Sequence, residues 1–299
     1  MTGRALIAVG CNAYDHLQTL YGAEADARRT YDALMKTEVG EYDPAHSRAL
    51  LSPTSTTLRN QILEVLFSSE ALDTFTFFFA GHGVVKSGSF YMCLKDSRAE
   101  ALSASGLSLS EFFLNLSEAS PAQSNIIIDA CESGGLIADL GVLLKSNLIG
   151  DAGTPAITLL ATSAQNQPSA ETREGGLGTN AILDCIEGRE FVQDSTSALD
   201  LVEIGRRVSS RLRSTGDQTP VVWGLNLYGP PRFCRNPFFA SNPAAPLRHV
   251  LQAWPSASDT SIRERYDCLW KAYGSVSGEW DARSFSDTVT PILEPLIPT

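Results

Sequence analysis

Short apolar runs and stretches of helical spacing alternate along most of this chain. Ala5–Gly10 (ALIAVG) is an unbroken apolar run closed by glycine, which predicts a buried strand. Glu24–Lys36 follows with Ala27, Tyr31, Leu34 and Met35 at the spacing of one helix face. Arg48–Leu51 predicts a second short strand. Thr57–Phe67 predicts a second helix, with Leu58, Ile62, Val65 and Leu66 on one side and Thr and Ser residues ahead of it to cap the start. Thr74–Ala80 (TFTFFFA) is strongly β-prone. Beyond it the pattern predicts a strand at Ser89–Leu94, a helix at Ser110–Ser117 and buried strands at Asn125–Asp129 (NIIID) and Ala156–Ala161 (AITLLA). Residues 137–155 have no clean period and read as a loop. Asn180–Glu187 and Leu199–Leu212 predict helices, and Val221–Leu227 a final strand.

Strands separated by helices predict an α/β fold, a mostly parallel sheet sandwiched by helices. From Arg235 the composition shifts to Pro, Asn and Ala (RNPFFASNPAAP), which marks a boundary. The chain divides there into a main domain, 1–235, and a small C-terminal helical extension, 236–299, with helical spacing at Leu247–Trp254 and Ile262–Tyr273. Three of the four tryptophans lie in the extension. Two uses fit it: docking a regulatory protein partner, or covering one end of the sheet.

Charge narrows the partners. The 299 residues carry a formal charge of -11, which repels a phosphate backbone and suits a basic substrate, so no nucleic acid is expected. The opening MTGRALIAVG has no signal-peptide pattern, and no apolar run reaches the length of a membrane span. The expectation is a reducing cytoplasm with no membrane contact. Six cysteines form no CxxC pair, so neither a zinc site nor a thioredoxin-type motif is signalled. Cys11, Cys93, Cys185 and Cys268 sit in apolar or helical runs and read as buried thiols.

In open α/β sheets, ligands bind outside the carboxyl ends of the strands. Two predicted strand ends carry reactive side chains. Thr74–Ala80 runs into Gly81-His82-Gly83, and Asn125–Asp129 into Ala130-Cys131-Glu132-Ser133-Gly134-Gly135. If these strands are neighbours, His82 and Cys131 emerge side by side, and an imidazole beside a thiol promotes the thiolate. The backbone N–H groups of Gly83 and Cys131 are the natural oxyanion donors. A lone Cys at a strand end is ordinarily a buried small hydrophobe, and a lone His is ordinarily structural. The pair reads as catalytic because each member follows an apolar strand and is set among small residues. His16, His46 and His249 have no such setting and read as surface or interface residues.

AGHG at 80–83 and DACESG at 129–134 resemble the catalytic motifs of the caspase/metacaspase family of cysteine peptidases, most closely its bacterial metacaspase-like members. The separation of His82 from Cys131 is close to the roughly 50 residues between the His and Cys of caspases. Ala5–Leu34 is similar to the family's first strand and the L-x-G-A-x-x-D helix after it. Ala161–Glu171, which includes Ser163, resembles the segment that supports the substrate backbone. Gly178–Gly188 and the Gln218-Thr219-Pro220 turn resemble the small-subunit region, so the resemblance spans 4–233. It implies a caspase-like sheet and a cysteine endopeptidase working through a Cys-His dyad and an acyl-enzyme thioester. Family members are often cut between the nucleophile's strand and the next. Lys145, the sole basic residue of 137–155, is the expected processing site.

The resemblance also implies a specificity pocket built on Asp26, the acid of the L-x-G-A-x-x-D motif, and Asp129. Caspases carry Gln at the position of Asp129 and hold an aspartate substrate with basic residues. Here the position is acidic, as in metacaspases, so protein or peptide substrates with Arg or Lys before the scissile bond are implied. Metacaspases usually have Ser where this chain has Ala80, which removes one hydroxyl from the pocket but leaves its charge. Read without the resemblance, Asp26 fits equally an exposed acid in a helix's first turn, and Asp129 an acceptor for backbone donors. No loop has the D-x-D-x-D-G spacing of a calcium site, so the family's calcium dependence is not carried over and stays open. No other metal and no organic cofactor are expected. Two rival readings remain: a non-catalytic scaffold on the same fold, and a Cys amidohydrolase acting on a small amide.

Overall fold

The element order follows the alternation in the sequence. The computed structural model describes residues 3–68, 72–130, 156–162, 171–172, 175–194, 196–215, 220–227 and 233–239. In chain order the elements are β1 (Gly3–Gly10), α1 (Ala23–Met35), β2 (Arg48–Leu51), α2 (Ser55–Leu66), β3 (Leu72–Gly81), β4 (Gly83–Lys86), β5 (Ser89–Met92), a 3-10 turn (Ala99–Ala101), α3 (Leu102–Ser105), β6 (Leu107–Ser108), α4 (Leu109–Ala119), β7 (Gln123–Ala130), β8 (Ala156–Ala161), β9 (Glu171–Thr172), β10 (Gly175–Gly176), α5 (Leu177–Ile186), β11 (Ala198–Leu199), α6 (Leu201–Thr215), β12 (Val221–Leu225) and β13 (Cys234–Arg235). The expected loop at 137–155, the expected helices at 247–254 and 262–273, and the extension beyond 239 lie outside the described residues.

Six strands form one sheet in the order β12-β8-β7-β3-β1-β2. Every neighbouring pair is parallel except β12, which runs antiparallel to β8. The central strands are apolar on both sides because helices cover both faces. Side chains alternate between those faces. Ala5, Ile7 and Val9 of β1, Phe75, Phe77 and Phe79 of β3, and Ile126 and Ile128 of β7 pack on one side, against Leu58 and Ile62 of α2 and Phe112 and Leu116 of α4. Leu6, Ala8, Phe78, Ala80 and Ile127 pack on the other, against Ala27 and Leu34 of α1, Ile182 and Ile186 of α5, and Ile204 and Val208 of α6. Phe77 stands 4.5 Å from Phe112, centroid to centroid, and truncating such a buried ring costs about 3–5 kcal/mol.

Two local devices refine the sequence reading. The Thr54 hydroxyl caps α2 by accepting the Thr57 N–H at 3.2 Å, so the helix opens at Ser55, two residues before the expected start. The β4 strand was not expected, because GVVK is too short and mixed to show a period. Its hairpin to β5 turns through Ser87 and Gly88, with φ of 52° and 81°, the two left-handed residues that a tight hairpin turn needs. No described helix is long and apolar enough to cross a membrane.

Candidate active site

The sheet brings the two reactive strand ends together. β3 and β7 are direct parallel neighbours, with Ala80 opposite Asp129 and Gly81 opposite Ala130. His82 is the next residue after Gly81, and Cys131 the next after Ala130. Cys131 itself lies outside the described residues, as do Ser163 and Lys145. β1 separates β2 from β3, so the chain changes direction across the sheet beside β3, where open α/β sheets form their ligand crevices.

His82 is held from three directions. Its backbone N–H donates to Tyr14 Oη at 2.9 Å, and the Tyr14 ring lies 4.8 Å from the imidazole. Its carbonyl accepts from the Cys93 N–H at 2.9 Å. Its Nε2 stands 2.7 Å from the Gln18 carbonyl oxygen. A carbonyl only accepts, so Nε2 is the donor and carries the proton; the neutral ring therefore offers its lone pair at Nδ1. Gly81 permits this packing, since a Cβ there would come within 2.8 Å of Tyr14 Oη. Gly83 pairs with Met92, one step beyond His82, whose carbonyl accepts the Cys93 N–H. Antiparallel ladders alternate, so the Gly83 N–H is directed away from β5.

Asp26 and Asp129 come together around β10. Asp26, in the first turn of α1, is 3% exposed, and Asp129, near the end of β7, is 6% exposed. The reading of Asp26 as an exposed first-turn acid is thereby excluded. Its Oδ2 accepts the Gly176 N–H at 2.9 Å, and its Oδ1 pairs with Arg29 Nη2 at 2.5 Å. Asp129 accepts the Thr162 hydroxyl at 2.6 Å on Oδ1. On Oδ2 it accepts the Thr179 N–H at 3.0 Å and the Thr179 hydroxyl at 2.5 Å. Gly176 sits between the two acids: a Cβ there would lie 2.6 Å from Asp129 Oδ2 and 3.2 Å from Asp26 Oδ2. Burial, with the Asp129 charge adding to it, pushes the Asp26 carboxyl up to about 6, against the opposing pull of the Gly176 N–H and Arg29.

The sequence did not single out Tyr14, Gln18, Arg29, Thr162, Thr179 or Gly176. Gln18 acts through its carbonyl, which no side-chain pattern reveals. Arg29 had a signal, since it stands one helical turn after Asp26. The described cysteines 11, 93, 185 and 234 are free and buried. Burial raises the Cys11 thiol to about 11 and those of Cys93 and Cys185 to about 12, far from the environment of a reactive thiolate. His16 is exposed, His46 bonds Asp43 Oδ2 at 2.9 Å, and His249 lies outside the described residues. Among the described residues, no group of three or more His, Cys, Asp or Glu is arranged to hold a metal ion.

The comparisons agree with this architecture. The family model of the caspase domain matches residues 2–229. No curated protein matches the sequence significantly. Among solved structures, a protein from Geobacter sulfurreducens is similar with a TM-score of 0.57 and 17% identity, covering 79% of this chain and 98% of that one. Caspase-1 from Spodoptera frugiperda is similar with a TM-score of 0.53 and 13% identity, covering 74% of this chain and 85% of that one. At these identities the likeness is one of fold.

Proposed function

The chain belongs to the caspase-domain family, and we propose that it is a cysteine endopeptidase cleaving after Arg, and less well after Lys. The observation that carries the reading is the in-register pairing of Gly81 with Ala130, from which His82 and Cys131 both continue. In this mechanism His82 Nδ1 takes the proton of the Cys131 thiol, and the thiolate attacks the scissile carbonyl carbon. The Gly83 and Cys131 N–H groups stabilise the oxyanion. His82 returns the proton to the departing amine, leaving a thioester that water hydrolyses. Asp26 and Asp129 receive the basic side chain, and Ser163 the substrate backbone. A guanidinium bonds acids in a fork that an ammonium lacks, which favours Arg over Lys. Activation by cleavage after Lys145, or by a partner bound to the segment 236–299, belongs to the same proposal.

The test is kcat/KM on matched peptides with Arg, Lys, Asp or Leu before the scissile bond, for wild type and Cys131→Ala. The reading requires Arg first, Asp essentially excluded, and no turnover by Cys131→Ala. A wild type that favours Asp or Leu would overturn the specificity while leaving the thiol chemistry standing.

A further inference from the structure

The geometry points to Arg29 as a resident counter-ion that competes with the substrate's basic side chain for Asp26 and so sets how strongly the pocket holds Arg or Lys. This rests on the proposed role of Asp26 in the pocket. The contact such a substrate would make on Asp26 is already made from within: Arg29 Nη2 lies 2.5 Å from Oδ1, while Oδ2 is taken by the Gly176 N–H. Arg29 Nη2 also lies beside β10, where a Cβ on Gly175 would come within 2.3 Å of it. The resident cation is thus at the same glycine pair that separates the two acids.

Arg29 is held in a way that permits exchange. A single nitrogen, Nη2, carries both its bond to Asp26 and its 2.8 Å bond to Asn180 Oδ1. Its side chain is 39% exposed, whereas that of Asp26 is 4% exposed, so the guanidinium has solvent to swing into and the carboxylate does not. With Arg29 in place, Asp26, Asp129 and Arg29 together present one net negative charge when both acids are ionised. With Arg29 displaced they present two. An incoming guanidinium therefore meets half the charge and must share or evict a partner of its own kind, so part of its binding energy goes into the exchange.

Arg29→Gln removes the competing charge and keeps a neutral, polar side chain. At about pH 8, where Asp26 is ionised, it should lower KM for Arg and Lys peptides by about three- to fivefold, the scale of a partly exposed ion pair. The Leu peptide should be unaffected, and kcat for all three should stay within about twofold. Arg29→Lys, which keeps the charge, should retain the wild-type profile. Asn180→Ala loosens Arg29 without removing it and should shift KM in the same direction by a smaller factor, which decides the matter if Arg29→Gln fails to fold. Unchanged or raised KM for the basic peptides in Arg29→Gln, or in Asn180→Ala in its stead, overturns the inference. The wild-type profile separates the two levels: no preference for Arg or Lys overturns the proposed specificity itself, whereas a preference that ignores Arg29 overturns only the competition.

Discussion

His82 Nε2 stands 2.7 Å from the carbonyl oxygen of Gln18, and that contact decides which imidazole nitrogen would serve as the base in the proposed mechanism. A side chain orients a catalytic histidine in many hydrolases. Here a backbone carbonyl in the loop after β1 takes that place and fixes the proton on Nε2. The Nδ1 lone pair is the one left to accept a thiol proton. Cys131→Ala and His82→Ala should therefore each remove nearly all peptidase activity with little change in folding. The double variant should be no worse than either single one, because the two act as a unit. Initial rates on an Arg peptide, with thermal unfolding alongside, check this; substantial activity in His82→Ala would mean that the base lies elsewhere.

Tyr14 supports the same histidine from below. Tyr14→Phe keeps the ring 4.8 Å from the imidazole but leaves the His82 N–H without the Tyr14 oxygen it donates to. An unsatisfied buried donor costs about 1–3 kcal/mol, so the melting temperature should fall by several degrees. The kcat should fall about tenfold as the imidazole loses its fixed position, with KM little changed. A fall in stability without any fall in kcat would make Tyr14 a packing residue only.

Much of this was legible in the sequence, and the boundary is physical. β2 and β8 fall at their expected limits, because their short apolar runs end in turn residues. The neighbourhood of β3 and β7 was an inference from two loaded strand ends, and the register bears it out. The acids at 26 and 129 were found as residues. Their partners were not, because Thr162 just after β8, Gly176 of β10 and Thr179 of α5 reach them across long sequence separations, with no local period to announce them. The β10 strand is two glycines long, too short for any pattern.

The raised Asp26 carboxyl gives a pH dependence with a definite sign. It faces Arg29 on its own helix, Asp129 on β7 and the Gly176 N–H of β10. Its folded-state value, about 6, lies above its ordinary 3.8, so its contribution to stability is fully present below about pH 4 and is lost as pH rises through about 6. Asp26→Asn should flatten the pH dependence of unfolding free energy across that window. Activity runs the other way, since only the ionised carboxylate holds a cation. The ratio of kcat/KM for Arg over Leu peptides, which cancels titrations common to both, should fall as pH drops below about 6 in wild type and lose that step in Asp26→Asn. A ratio independent of pH from about 5 to 8 would remove Asp26 from the pocket.

Asp129 differs from Asp26 in its partners. It accepts three bonds from neutral donors, the Thr162 hydroxyl and the Thr179 hydroxyl and N–H, and these hold its two oxygens in place beside Gly176. Asp129→Ala strips all three donors of their acceptor in a buried place, at about 1–3 kcal/mol for each donor left unsatisfied, so the variant should melt well below wild type. A purely structural loss would depress every substrate alike. A pocket role adds a selective loss, because removing one partner of a desolvated charge pair costs roughly 3–5 kcal/mol, or about two to three orders of magnitude or more in kcat/KM for Arg. Thr179→Val separates the two effects from the other side. It removes one hydroxyl donor, leaves the carboxylate charge, and should lower stability while changing the Arg-to-Leu ratio less than about threefold. The decisive quantity is that ratio, measured below the melting temperature of each variant. If Asp129→Ala lowers Arg and Leu cleavage by the same factor, Asp129 is a scaffold for β8 and α5, and the basic side chain is received elsewhere.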